Sequence, residues 1–341
     1  MGNPRKGARG GDQWPAWLRP TPIGRSKVGI AGSGVEPPVR IGNGYRSSHN
    51  TGGGETMRWQ TGRRSGNIED QRGSRVPRGF KGGGIGILLL ALVAMYFGID
   101  PALILNIGET VQQSSPDSSA PYQPSAEEQE LAEFVAVVLA DTEDTWNEVF
   151  ASAGRTYSEP KLVLFSGAVQ SACGFAQAAM GPFYCPADRK VYIDLAFYHD
   201  LKADLDSPGD FAQAYVIAHE VGHHVQNLLG ISDKVAAQRG RVAEVEYNRL
   251  SVRLELQADC LSGIWASHAD RVRQVVEPGD IEEALNAASN IGDDRLQRRS
   301  QGQITPDSFT HGSSAQRVSW FRRGFQAGEI GSCDTFQAKT L

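Results

Sequence analysis

The sequence predicts an α+β domain, mainly helical with a small β-sheet, preceded by one membrane-spanning helix. Three observations carry this reading. Apolar residues recur at spacings of three and four over several long stretches after residue 125, which is the helical period. Two short runs rich in β-branched and aromatic residues, KLVLF from Lys161 and VYIDLAF from Val191, read as strands. Residues 82–99, GGGIGILLLALVAMYFGI, carry no charge and approach the roughly 20 residues that a bilayer-spanning helix takes.

The 341 residues are 40% hydrophobic and 21% charged, which suits a globular protein of one or two domains. The net charge of -5 is unevenly spread: the first part of the chain is rich in Arg, Lys and Gly, and the rest is acidic. Residues 1–56 are rich in Gly, Arg, Pro and Ser without apolar periodicity, so they predict a disordered basic segment. Met57 is followed at once by RWQTGRRSG. Met57 therefore reads as an alternative start of translation, with residues 1–56 belonging to an over-extended reading frame.

Residues 57–81 form a basic segment. Arg58, Arg63, Arg64, Arg72, Arg75, Arg78 and Lys81 stand against only Glu69 and Asp70, whereas Asp100, Glu109 and Asp117 follow the apolar run. The positive-inside rule then predicts a single-pass protein of the cell membrane, its N-terminus cytoplasmic and its C-terminal domain extracytoplasmic. No small-x-small cleavage site ends the run, so the anchor is expected to stay attached. Residues 100–124, ending in the Ser/Pro/Gln-rich SSPDSSAPYQP, read as a linker.

Residues 125–341 predict the folded domain. Ser125 and Glu128 form a capping box at the head of a long packing helix. All four cysteines, Cys173, Cys185, Cys260 and Cys333, lie beyond the apolar run, as disulfides in an oxidising compartment would. Sequence does not fix connectivity; proximity suggests Cys173 with Cys185, leaving Cys260 with Cys333.

The chemistry concentrates in AHEVGHHVQ. Three of the seven histidines fall within six positions. Asp210 reads as the N-cap of this helix and Gly230 as its stop. His219 and His223, one turn apart, reach a single metal ion, and Glu220 lies beside it as general base for a metal-activated water. Phe211, Tyr215, Ala218, Val221, Val225 and Leu228 share a separate apolar face. His224 points about 100° from His223 and reads as a surface or second-layer residue; His199 and His268 read as ordinary polar contacts.

RLSVRLELQADCLSGIW, from Arg249, predicts a second long helix. Glu255 lies within its apolar run and is expensive there unless it is paired or bound. As a third ligand it completes a His2Glu set with an open fourth position, fitting one Zn2+ per chain. Asp259, one turn on, is positioned to accept the free N–H of a zinc histidine. In FTHGSSAQRVSWF, Ser313 or Ser314 caps a following helix and leaves His311 in the preceding loop. His311 is the first candidate donor to a reaction oxyanion, and Arg317 the second.

HEVGHH, RLELQADCLSGIWA, GPFYCPADRKVYIDLAF and FTHGSS with QRVSWF together resemble the bacterial family of neutral zinc metallopeptidases. The stretch after Met57 resembles the start of that family, so the similarity covers residues 57–341. The E-x-x-x-D spacing of Glu255 and Asp259 is similar to the gluzincin clan. There, the heat-shock membrane proteases and prenyl-protein proteases carry a histidine and, six residues on, an arginine near the substrate; His311 and Arg317 match that spacing, with Gly312 in place of the usual proline. The resemblance implies a zincin-like fold in which an edge strand, expected at Val191 to Phe197, aligns a peptide substrate.

The function expected is hydrolysis of peptide bonds by a zinc-activated water. The alternative is a zinc-bearing scaffold of the cell envelope, in which Glu220 would have no role. Nucleic-acid binding rests only on residues 1–81, and the acidic domain argues against it. Oligomeric state is not legible.

Overall fold

The computed structural model describes residues 57–74, 122–177, 181–203, 207 and 209–341. The basic segment 1–56, the apolar run 82–99 and nearly all of the linker lie outside the described residues. No helix among the described residues is long and apolar enough to cross a membrane.

A four-stranded sheet has the order β1 (Ile68–Asp70), β2 (Lys161–Phe165), β6 (Lys190–Asp194), β5 (Phe183–Cys185). The first two pairings are parallel and the last antiparallel. Leu162 to Phe165 are all buried, so β2 reads as a continuous apolar run because both of its faces are covered. A separate hairpin joins β3 (Ala168–Ser171) to β4 (Gly174–Gln177).

The helices are α1 (Ala126–Ser152), α2 (Ala196–Ala203), α3 (Asp210–Leu228), α4 (Ile231–Ala236), α5 (Glu244–His268), α6 (Asp280–Asn290), α7 (Asp293–Gln301) and α8 (Ser314–Ala327). The Ser125–Glu128 capping box opens α1, and Ser313 with Gln316 forms another at α8. Five residues of the expected apolar face of α3, Phe211, Tyr215, Ala218, Val221 and Val225, are at most 1% exposed, and Leu228 is partly buried. Gly230, at φ 70°, turns the chain after α3.

Three local expectations need correcting. The helix start at Asp210 is capped otherwise: Gly209 is the N-cap, and Glu283 of α6 accepts the Phe211 N–H. The strand expected to run from Val191 to Phe197 ends at Asp194, whose Oδ1 accepts the Ala196 N–H at 2.9 Å and starts α2. That strand is also interior to the sheet, and β5 forms the edge instead.

The third correction concerns residues 57–74, expected as a segment apart from the domain. They pack onto it. Met57 is 1% exposed in the main core, and Trp59 meets Phe134 edge-on at 5.5 Å. Arg63 bonds Glu143 and Asp144 at 2.8 Å each, and β1 pairs with β2 through residues 68–70. Glu69 bridges Lys161 and Lys190 across the sheet.

Two disulfides join Cys173 to Cys185 and Cys260 to Cys333. The first ties the β3–β4 turn to β5. The second ties α5 to the C-terminal segment. Helices α5 and α8 pack closely because Gly324 lies against the Cys260 carbonyl, where any Cβ would collide. This crossing brings Arg317 of α8 to Asp259 of α5.

Candidate metal centre and active site

His219 and His223 project from α3 and Glu255 from α5. Their ligand atoms all lie within 4.8 Å of one another. The two helices come this close because Gly222, between the histidines, has no side chain: a Cβ there would stand 3.1 Å from the Ala258 carbonyl. Glu255 Oε2 lies 3.3 Å from His219 Nε2, and Oε1 lies 3.4 Å from His223 Nε2.

The far side of each ring is fixed. His219 Nδ1 donates to Asp259 Oδ1 at 3.0 Å, and His223 Nδ1 donates to Gln226 Oε1 at 2.9 Å. Each ring therefore presents its Nε2 toward Glu255, ready to bind a metal once that nitrogen loses its proton. Gln226 is itself held by the Leu254 carbonyl and Gln257. Asp259 is fully buried and accepts from Tyr215 Oη at 2.6 Å and from Arg317 Nε and Nη2 at 3.0 and 2.8 Å.

The electrostatics follow from these contacts. Burial opposes charge on Glu255, but the two imidazoles beside it hold its carboxyl well below the usual range. Burial likewise opposes charge on Asp259, and Arg317 overcomes it. Burial alone would lower His219; hydrogen bonds to Asp259 and Glu255 outweigh it and push the ring up to about 9. Two neutral-capable imidazoles and one carboxylate, backed by satisfied partners, are a donor set that fits zinc.

Glu220 is 8% exposed, and among the described residues its carboxylate has no hydrogen-bond partner. It lines a cleft of about 570 Å³ together with His219, His223, Glu255, Phe183 and His311. The remaining sequence-predicted residues divide. His311 reaches the cleft, its Nδ1 held 3.2 Å from Asp293 Oδ1, and this bond raises its pKa. Arg317 is 2% exposed behind the metal set, and it donates hydrogen bonds to Asp259 and Tyr215.

Several contributors escaped the sequence reading. Asp293, the first residue of α7, accepts the N–H groups of Thr310, His311 and Gly312 and so clamps the histidine loop. Tyr215 looked purely apolar, though its place one turn before His219 was a usable signal. Gln226, one turn after His223, was equally visible. His224 is fully buried: its Nε2 donates to the Ser158 carbonyl, its Nδ1 accepts from Tyr184, and burial lowers its pKa to about 4.

Among curated proteins, the chain is similar to the uncharacterized protein YpfJ of Escherichia coli (strain K12). Identity is 52% over 291 residues, covering 82% of this chain and 99% of the relative. The uncharacterized protein Rv2575 of Mycobacterium tuberculosis (strain H37Rv) is 43% identical over 218 residues, covering 61% of this chain and 73% of its own. No solved structure matches. A family model matches residues 57–336, the span that holds every residue of the metal set, and the chain belongs to that family, described as "Putative neutral zinc metallopeptidase".

Proposed function

We propose that the protein is a zinc metalloendopeptidase whose general base is Glu220. The observation that carries this is the placement of an unpartnered Glu220 carboxylate in the cleft, beside a His2Glu donor set with both tautomers fixed. A purely structural metal site gains nothing from such a group, and it ordinarily fills its fourth position with another protein ligand.

His219, His223 and Glu255 would hold the metal. Zinc, when bound, acidifies a water and polarises the scissile carbonyl. Glu220 takes the water's proton and delivers it to the leaving amine. His311 donates from Nε2 to the oxygen that gains charge, while Asp293 keeps the ring facing the cleft. Arg317 acts behind this set by holding Asp259, which orients His219. An extended peptide is read along β5, the sheet edge, since Gly181, Pro182, Phe183 and Tyr184 line the cleft.

The two disulfides support an extracytoplasmic domain, and the apolar run 82–99 supports contact with the cell membrane. The test is digestion of a diverse peptide mixture by the zinc-loaded chain, with Glu220→Gln as control and new termini read by mass spectrometry. Cleavages made only by the native chain are expected. Equal cleavage by both proteins would remove Glu220 from the mechanism, and none by either, with one zinc per chain bound, would favour the scaffold.

A further inference from the structure

A second cluster of ionisable groups sits at the opposite end of α3 from the centre of the metal site. Asp210, Asp280 and Glu283 offer carboxylate oxygens that all lie within 4.8 Å of one another. Among the described residues, none of the three is paired with a Lys, Arg or His side chain. Asp280 is 1% exposed; its Oδ2 accepts the Glu277 N–H at 2.8 Å, while its Oδ1 has no hydrogen-bond partner among the described residues. Three gathered carboxylates with a buried orphan oxygen lack a cation.

The backbone nitrogen of Met57 donates to Asp210 Oδ1 at 3.3 Å. Met57 is 1% exposed, and the chain beside it is strapped down: the Arg58 N–H bonds the Val275 carbonyl, and the Arg58 side chain pairs with Glu277. As a peptide nitrogen, Met57 N offers one donor, which Asp210 already takes. As a chain terminus it would be an ammonium with three donors and a full positive charge.

Two further observations point the same way. The family match begins at residue 57, and the relative from Escherichia coli is spanned over 99% of its length by only 82% of this chain. Left without a cation, burial and mutual repulsion push Glu283 up to about 7 and Asp280 up to about 6.

We propose that Asp210, Asp280 and Glu283 form a binding site for the chain's own α-ammonium group, with Met57 as the working N-terminus. The terminal charge then bolts residue 57 to the first turn of the helix that carries His219 and His223. This site is independent of peptidase chemistry: it is a structural ion pair, and its loss loosens the N-terminal end of α3 without removing a metal ligand.

The experiment starts with the intact mass of the protein purified from its native cells. The folded, zinc-loaded protein is then pulsed with an amine acylating reagent near pH 7, and labelling of the Met57 α-amine is read by peptide mapping against the denatured chain. The expected mass begins at Met57, with the α-amine acylated at least about tenfold more slowly in the folded state, because an ordinary terminal amine titrates near 7.7–8.0. Asp280→Asn is expected to speed that labelling and lower the melting temperature. A native mass that includes residue 1 overturns the proposal. So does equal labelling of folded and denatured chains. Stabilisation by calcium with one ion bound per chain, abolished by Asp280→Asn, would also overturn it, since the occupant would then be a metal cation.

Discussion

Two ionisable clusters of three residues each form along helix α3, completed by α5 at one and α6 at the other, and they behave oppositely. At the metal end both rings have a partner behind them, and the two imidazoles hold Glu255 well below the usual carboxylate range despite burial. At the other end burial wins: Glu283 is pushed up to about 7 and Asp280 to about 6. Proximity of carboxylates therefore does not define a prepared site. What separates the two is a supporting layer: Asp259, Arg317, Tyr215 and Gln226 stand behind one set, and among the described residues no side-chain cation pairs with the other.

The largest effect expected from breaking the contrast falls on catalysis. Glu220→Gln should lower kcat/KM by about 10³-fold, within the 10²–10⁴-fold range of general-base losses. Bound zinc, measured by elemental analysis, should stay at one per chain. Loss of zinc in this variant would show that Glu220 belongs to the supporting layer.

Removing that layer comes next. Arg317→Met leaves Asp259 buried with its guanidinium partner gone, which costs about 3–5 kcal/mol in denaturant unfolding. Asp259→Asn should weaken zinc binding by about 10–100-fold through the loss of His219 orientation. An unchanged zinc affinity in a chelator competition would break the distinction between the two clusters.

The pH dependence sharpens it further. The His219 pKa is raised to about 9 in the metal-free site, so its ion pairing stabilises the fold most fully below pH 6.5 and is lost as pH rises through 9. Zinc has to displace that proton. Its affinity should rise about tenfold per pH unit from pH 7 to 9 and then level off, as read by competition at each pH. Two displaced protons would double the slope and bring His223, also raised, into the count.

The smallest effect is expected at the acidic cluster. With residue 57 in peptide linkage, the raised Glu283 pKa means that stability is fullest below pH 4.5 and falls as pH rises through about 7. Glu283→Gln should flatten that fall in thermal melts recorded at pH 5 and pH 8. In a chain that begins at Met57 the fall should already be shallow. An equal fall in both chains would sink the ammonium account of the difference.

The metal set was legible because it is local. His219, Glu220 and His223 lie within one turn, and Glu255 and Asp259 break an apolar pattern one turn apart, where only binding or pairing justifies a carboxylate. Arg317 was found by its spacing from His311, yet its setting was not, because burial behind Asp259 depends on the α5–α8 crossing at Gly324. The sheet was read less well. Three-residue strands such as β1 and β5 carry too few positions for an alternating pattern, and the parallel pairing of β1 with β2 joins residues far apart in sequence.

That pairing has a topological consequence. Gly73 packs against Tyr122, so the chain departs from β1 and resumes before α1 at nearly one point on the domain surface. Residues 73 and 122 are thus fastened to the same body. A bilayer cannot lie between two parts of one folded sheet. Wherever β1 is docked, residues 57–74 and the metal centre therefore belong to one body.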